Sequence, residues 1–226
     1  VTKLDQMNEA HGASKMPTKT VQTQFDPGQS HQTEAIASIA NLFDGFTNGD
    51  AAGWMTDDIV PNLAPDISLE SGSLFDNLQM AQRINGLPES REIDYDDGFL
   101  VERVSVDTWK YPRFTVEMET GTGKTYVYLR TIRELRKRFG FRKFVIVVPS
   151  VAIYEGVIAA HREMKEHFKG LYGNENVTLV EYDGNKPELL KSFAQSVSVE
   201  ILLLTIDAFN SRKNMIYKRT ERLPGD

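Results

Sequence analysis

The sequence contains no cysteine and only four histidines in 226 residues. Without thiolates it can form neither a disulfide framework nor a cysteine-ligated zinc or iron–sulfur site, and the histidines are too scattered for a metal cluster. No stretch approaches the roughly eighteen consecutive apolar residues of a membrane span. The first residues also lack the apolar block of a secretory signal. These absences predict a cytoplasmic protein with no membrane contact.

Hydrophobic residues make up 40% of the chain, which is enough for a packed core and excludes a largely disordered protein. The length fits one large domain, or one domain with a small appendage. The chain begins at Val1 rather than at a methionine and stops at Asp226. We therefore expect it to be a piece of a longer protein.

The net charge is −6, but the charges are unevenly distributed. Residues 44–110 include fourteen acidic and four basic residues, whereas residues 111–169 include twelve basic and six acidic ones. This pattern indicates two surfaces with different partners, of which the basic one could meet phosphates. The alternative is two differently solvated faces, and the charge pattern leaves both open.

Composition divides the chain into an N-terminal arm and a longer folded part. Residues 1–24 are polar and without period, which predicts a flexible arm. Residues 25–226 are expected to form the folded part, with 45–98 as an acidic insertion interrupted by glycines and prolines. An amphipathic helix is predicted after Ser30, which we expect to be its N-cap, and a second helix is predicted near 74–84.

After Asp97 short apolar strands alternate with amphipathic helices. Strands are predicted at 99–106, 113–118, 144–148, 177–182 and 200–206. Helices are predicted to contain the apolar stripes at 128–139 and 153–168 and the short stretch at 187–194. The continuous apolar run of the third strand is typical of a strand buried on both faces of a parallel sheet. The alternation predicts an α/β domain with right-handed crossovers.

The most specific motif is Met-Glu-Thr-Gly-Thr-Gly-Lys-Thr at 118–125, expected where a buried strand passes into a helix. The general phosphate-loop pattern has a glycine where this chain has Met118. The two remaining glycines still let the backbone N–H groups wrap a phosphate. The predicted nucleotide-binding residues are Thr120, Gly121, Thr122, Gly123, Lys124 and Thr125. The alternative is a glycine turn with a solvated lysine.

Two residues of this loop are predicted to act in catalysis. Lys124 would reach the β- and γ-phosphates of a nucleotide, and Thr125 would place its hydroxyl on Mg²⁺. A phosphate loop occurs in many unrelated enzymes, so it indicates a cofactor rather than a function.

Residues 114–132, 144–157 and 203–209 together resemble the motor part of superfamily 2 helicases. Within that superfamily they resemble the restriction (Res) subunit of type III restriction enzymes, in which Met118 is normal usage. The resemblance implies an α/β, RecA-like P-loop domain with a parallel sheet that uses ATP and Mg²⁺. This chain would be the N-terminal portion of the first motor domain, preceded by a helical, acidic insertion.

The resemblance also implies roles outside the loop. Gln32 resembles the glutamine that recognises the edge of adenine, because an amide donates and accepts at once. Pro149, Ser150 and Val151 resemble a motif that contacts the DNA backbone, and Thr205, with the two residues after it, resembles a later one. The ordinary alternatives are a solvated glutamine and a helix start after a strand.

One expected feature of this family is absent from the sequence. No Asp-Glu pair, which would hold Mg²⁺ and activate water, follows the strand predicted at 200–206. We expect this acidic motif to lie beyond Asp226, together with a second motor domain and a nuclease domain.

For the intact protein the resemblance implies ATP-dependent cleavage of double-stranded DNA together with a modification (methyltransferase) subunit. Two alternatives remain open. One is the motor of a type I restriction enzyme or of a repair helicase. The other is a nucleotide-binding module that does not hydrolyse ATP.

Overall fold

The computed structural model describes residues 25–46, 60–63, 72–101 and 106–210, so the arm predicted at 1–24 lies outside it. The helices are α1 (Ser30–Asn41), α2 (Gly72–Ile84), α3 (Lys124–Phe139), α4 (Val151–Glu163), α5 (Lys165–Tyr172), α6 (Pro187–Gln195) and α7 (Ile206–Asn210). The strands are β1 (Asp94–Val101), β2 (Val106–Arg113), β3 (Lys143–Val148), β4 (Val177–Glu181) and β5 (Val199–Thr205). Among these elements no helix combines the length and the apolar character needed to cross a membrane.

Three of the strands form a parallel sheet in the order β3-β5-β4, and β1 pairs with β2 in an antiparallel ladder. α4 and α5 connect β3 to β4, and α6 connects β4 to β5. Helical crossovers are needed because a tight turn cannot join parallel strands. Val148 at the end of β3 is paired with Thr205 at the end of β5, so these strands finish level at one edge. The predicted α/β class with a parallel sheet is confirmed.

The main core surrounds α3, whose apolar residues recur at the helical spacing that the sequence predicts. The buried residues of this cluster are Ile36, Tyr126, Val127, Leu129, Ile132, Met164, Phe168, Val177, Val199 and Ile201. Full burial of a Leu, Ile or Phe side chain contributes roughly 1.5–3 kcal/mol. The cluster is therefore the principal contact that fixes α1 and α5 against α3 and the sheet.

One charged residue of α3, Arg133, is buried. Arg133 is only 8% exposed, and its guanidinium lies 4.6 Å from the ring centroid of Phe168. Burial lowers the pKa of Arg133. The negative face of the aromatic ring partly compensates this loss of hydration.

Helix ends follow backbone conformation as much as capping side chains. α3 begins directly after Gly123 and is followed by Gly140, and both glycines have positive φ angles that other residues rarely adopt. The N-cap predicted at Ser30 is wrong, because α1 begins at Ser30 itself and the cap position is Gln29, which makes no side-chain cap hydrogen bond. Ser150 does cap α4, since its hydroxyl accepts from the N–H of Ile153 at 3.4 Å.

The strand predicted at 99–106 is wrong because it spans two antiparallel strands. β1 and β2 flank residues 102–105, which lie outside the described residues, and Asp94 is paired with Arg113 at the far end of the ladder. Arg113 also forms ion pairs with Asp94 and Asp96. The three aspartates in β1 conceal the strand, because acidic residues are uncommon in strands and interrupt the apolar alternation.

The strand predicted at 113–118 is also wrong. β2 ends at Arg113, and residues 114–119 are irregular up to the phosphate loop. Val116 in this stretch is 46% exposed. A strand requires a neighbour that satisfies its backbone N–H and C=O groups, and none of the described strands pairs with this stretch.

The expectation that the third predicted strand is buried on both faces is wrong for β3. Val145 is 55% exposed and Val147 is 40% exposed, whereas Val148 is buried. β3 lies at one edge of the three described parallel strands. The face of β3 that carries Val145 and Val147 is only partly covered in the described part of the chain.

The predicted acidic insertion at 45–98 is attached to the parallel sheet by its described residues 60–63. The Oδ1 atom of Asn62 accepts from the N–H groups of Arg142 and Lys143 at 2.7 and 2.9 Å, and its Nδ2 donates to the carbonyl of Lys143 at 2.6 Å. Asn62 thus extends the hydrogen bonding of the sheet at the beginning of β3. The described part of the insertion also contains strand structure, so it is not only helical.

We expect Asn62→Ala to lower the free energy of unfolding by about 2 kcal/mol, because it leaves part-buried backbone groups without partners. Urea unfolding of the chain measures this change. Asn176→Ala is the matched control, since its amide makes one exposed contact with Thr178, and it should cost less than about 0.5 kcal/mol. Equal costs for the two variants would contradict the attachment of the insertion through Asn62.

Candidate nucleotide-binding site

The loop before α3 has the backbone geometry of a phosphate cradle. Gly121 has φ 84° and Gly123 has φ 89°, and Lys124 is the first residue of the sixteen-residue α3. Alternation of left-handed glycines with ordinary residues turns successive N–H groups toward one side. The beginning of the helix adds its own free N–H groups and the positive end of its dipole. The loop is therefore built to bind an anion.

Two side chains of the loop donate hydrogen bonds to the same backbone carbonyl, that of Glu119. The Thr122 hydroxyl donates to the carbonyl of Glu119 at 2.7 Å, and the Lys124 ammonium donates to the same oxygen at 2.9 Å. Lys124 is otherwise exposed, and Thr120 and Gly121 are also exposed. The ammonium can exchange its bond to a neutral carbonyl for a stronger, charge-assisted bond to a phosphate oxygen.

Gln32 on α1 lies directly against this loop, although 90 residues separate it from Thr122. The Gln32 side chain is only 8% exposed, and its Nε2 donates to the carbonyl of Thr122 at 2.9 Å. A Cβ atom placed on Gly123 would lie 2.5 Å from that Nε2. Gly123 is thus required both for its positive φ and for the space that Gln32 occupies.

A cavity of about 220 Å³ lies between the beginning of α1 and the phosphate loop. Its lining residues are Phe25, Asp26, Gln29, Gln32, Gly123, Thr125, Tyr126 and Met164. Roughly 300–1,000 Å³ is usual for a complete small-molecule pocket, so this cavity has room for only part of such a ligand. Among the predicted residues, the structure brings Gln32, Gly123 and Thr125 together here.

Sequence reasoning missed the aromatic wall of the cavity. Phe25 and Tyr126 are stacked with ring centroids 6.2 Å apart and 14° between their planes, and His167 on α5 lies beside both rings. Burial and the positive charge of Arg130 lower the pKa of His167, which favours the neutral imidazole. Only Tyr126 had a sequence signal, because it directly follows the loop motif.

The predicted DNA-contacting residues lie at a different place, the carboxyl edge of the sheet. Ser150 follows β3 and Thr205 ends β5, and the paired strand ends bring them to the same edge. Both hydroxyls cap helices, since Thr205 Oγ1 accepts from the N–H of Ala208 at 3.2 Å. Pro149 and Val151 beside them are exposed, Val151 by 67%.

Comparison with known proteins identifies the family. A family model described as "Type III restriction enzyme, res subunit" matches residues 27–224. The chain belongs to this family. The predicted Res resemblance is thereby confirmed, and so are the RecA-like fold of a P-loop domain and membership of a helicase-like ATPase motor family.

Individual Res relatives agree with this assignment. The chain is 29% identical over 192 residues to the EcoP15I Res subunit of Escherichia coli, a match that covers 83% of this chain and 18% of that protein. It is 29% identical over 198 residues to the EcoPI Res subunit of Escherichia phage P1, a match that covers 85% of this chain and 18% of that protein. It is 36% identical over 113 residues to the StyLTI Res subunit of Salmonella typhimurium, a match that covers 42% of this chain and 11% of that protein.

This chain therefore spans 18% of the length of each of the first two relatives. All three matches are to subunits of type III restriction-modification enzymes. They favour the type III assignment over the alternatives of a type I enzyme and a repair helicase.

The contact between Gln32 and Gly123 is testable by stability measurements. Gly121→Ala and Gly123→Ala should each cost roughly 1–2 kcal/mol for a left-handed alanine. Gly123→Ala should cost about 1–3 kcal/mol more, because its methyl group collides with Gln32. Gly121 is the matched control, since nothing lies within 4 Å of the Cβ that its replacement would add.

Both substitutions are then repeated in a Gln32→Ala background, with free energies of unfolding from urea titrations. The extra cost of Gly123→Ala should disappear there, and the cost of Gly121→Ala should not change. Equal costs at the two glycines in both backgrounds would contradict the contact.

Proposed function

We propose that this chain is the ATP-binding part of the first motor domain of a type III Res subunit. The observation that supports it is the glycine loop at the beginning of α3, with Lys124 exposed on it and Gln32 bonded to its Thr122 carbonyl. In the intact protein, ATP turnover would drive action along double-stranded DNA and its cleavage. The modification (methyltransferase) subunit is the proposed partner.

The residues present fit a nucleotide with Mg²⁺. The loop offers glycines in left-handed conformations and an ammonium group, and Thr125 lies at the cavity beside them. When bound, Mg²⁺ neutralises charge on the β- and γ-phosphates. Among the described residues no group of three or more His, Asp or Glu side chains is placed to hold a metal. We therefore propose that Thr125 and the phosphates hold the ion in this part of the protein.

We propose that the carboxyl edge of the sheet contacts the DNA backbone through Pro149, Ser150, Val151 and Thr205. α4 and α7 begin at this edge, behind the hydroxyl caps of Ser150 and Thr205. Hydroxyl and backbone N–H groups are hydrogen-bond donors of the kind that contact phosphates. The exposed side chain of Val151 suits contact with sugars. Direct measurement of DNA binding by Ser150 variants of the intact Res subunit tests this part of the proposal.

A nucleotide-binding module without hydrolysis is the second candidate. Asp207, just after β5, and Glu119, in the phosphate loop, are both exposed, and neither lines the cavity. The described residues thus place no carboxylate there to activate water, except Asp26 at the cavity wall. ATP hydrolysis by the intact Res subunit, lost on substitution of the loop lysine, separates the motor from this alternative.

We expect Lys124→Ala to lower ATP hydrolysis by the intact Res subunit by at least about a hundredfold, because it removes the charge that compensates the phosphates. Stability should change little, since the ammonium is exposed and makes one hydrogen bond to a loop carbonyl. Lys169→Ala on α5 is the control, because that exposed lysine pairs with Glu166 in the same helix, away from the loop. An ordinary ATPase rate in the Lys124→Ala variant would disprove the assignment.

The proposed role of Gln32 predicts a preference for ATP over GTP, because the amide matches the adenine edge and opposes that of guanine. Gln32→Glu keeps the size of the side chain but replaces the amide, which also donates to the Thr122 carbonyl, with a carboxylate that has no donor. The preference for ATP should fall by roughly tenfold, as expected for the loss of one well-placed base contact. Competitive titration of both nucleotides measures it, and unchanged discrimination would remove Gln32 from base recognition.

A further inference from the structure

Part of the cavity wall is formed by Phe25 and Asp26, which belong to residues 25–27, a segment without regular secondary structure just before α1. Phe25 contributes the aromatic ring of this wall, stacked on Tyr126. A segment of this kind is poorly ordered unless something holds it down. The shape of the cavity therefore depends on what fixes residues 25–27.

Phe25 packs against Tyr126 and His167, and a guanidinium on α3 adds a hydrogen bond to the backbone of this segment. Arg130 Nη1 donates to the carbonyl of Pro27 at 2.7 Å, across 103 residues of sequence, and lies 3.3 Å from the Tyr126 hydroxyl. These bonds join the 25–27 segment to the helix that begins at the phosphate loop. Hydrogen bonds from a charged donor are stronger than neutral ones, which suits this role.

Arg130 is itself held in one orientation. Its Nε donates to the hydroxyl of Tyr172 at 3.1 Å, and that hydroxyl donates to Glu134 at 2.5 Å. Burial and the neighbouring Glu134 carboxylate raise the pKa of Tyr172, so the phenol stays protonated and keeps donating. The planar guanidinium thus spans three partners in fixed directions, which a lysine ammonium cannot reproduce.

Arg130 does not line the cavity. Its guanidinium contacts Tyr126 and the carbonyl of Pro27, two residues after Phe25, and Phe25 and Tyr126 carry the two stacked rings at the cavity wall. An effect of Arg130 on ligands in the cavity must therefore be indirect.

We propose that Arg130 is a positioning residue for nucleotide binding, which holds segment 25–27 against Tyr126 so that the cavity receives the planar base of a nucleoside triphosphate. The inference rests on the proposed function, because it takes the loop as the site of the phosphates. The aromatic rings and Met164 supply the apolar surface that a base requires. Loss of Arg130 should remove the contribution of the base to affinity and leave that of the phosphates.

The test uses the full-length Res subunit and two probes that share phosphates but differ in the base. These are adenylyl-imidodiphosphate with Mg²⁺ and inorganic tripolyphosphate with Mg²⁺, both titrated by calorimetry. Arg130→Ala should weaken the nucleotide analogue by about tenfold, the value of one charge-assisted hydrogen bond. Its affinity for tripolyphosphate should stay within about twofold of the wild type.

Three further single substitutions and one double variant complete the experiment. Arg136→Ala is the matched control on the same helix, since its guanidinium bonds Glu175 and the Gly140 carbonyl, and it should change neither affinity. Arg130→Lys keeps the charge and fold but cannot span the three partners, so it should reproduce the selective loss. Phe25→Ala should reproduce it too, and combined with Arg130→Ala it should lose little more than either variant alone, because both act through one wall.

The outcomes separate the inference from the proposed function. A selective loss for the nucleotide analogue in the Arg130 variants supports the inference. Unchanged affinity, or an equal loss for both probes, overturns it while leaving the phosphate-loop assignment in place. A wild-type protein that binds neither probe overturns the proposed function, and the inference with it.

Discussion

An amide side chain and a glycine share a space at the beginning of α3 in which one more carbon atom would collide. Gln32 approaches the loop so closely that Gly123 must lack a side chain, and the same glycine supplies the left-handed turn from which the helix begins. Loop conformation and helix packing are therefore one constraint. α1 cannot move away from α3 without releasing the Thr122 carbonyl, and the loop cannot change its turn without displacing α1.

This constraint places the rest of the candidate site. Because α1 is fixed at its first turn, the residues just before it lie over the side of α3, where Tyr126 and Arg130 can reach them. The main hydrophobic cluster adds α5, which supplies His167 behind the aromatic rings. The cavity is thus bounded by three elements that are distant in sequence and are held together by the same core.

The elements next to the loop were predictable because their signals are local. A glycine-lysine motif followed by apolar residues at helical spacing indicates α3, and continuous apolar runs indicate β3 and β5. The antiparallel pair of β1 and β2 was not predictable, because the aspartates of β1 obscure the apolar alternation and because the pairing depends on the partner strand. Residues 114–118 have strand-forming side chains, yet a strand exists only where a neighbour accepts its hydrogen bonds.

The site was predictable to a similar extent. The loop residues form a motif, so Gly121 to Thr125 can be found by pattern. Phe25 and Arg130 belong to no motif, because their relation arises only when the chain returns across 103 residues to form one hydrogen bond. Arg133 illustrates the same limit: its burial over Phe168 is a product of packing, and a charged residue in sequence suggests solvent instead.

The exposed valines of β3 have a practical consequence for work with this chain. Among the described strands β3 pairs on one side only, with β5, and it shows Val145 and Val147 to solvent. An open strand edge with apolar side chains is a template for pairing with another chain and leads to aggregation unless something covers it. In the described part of the chain, the free edge of β3 is therefore the place where pairing with a strand of another molecule would begin.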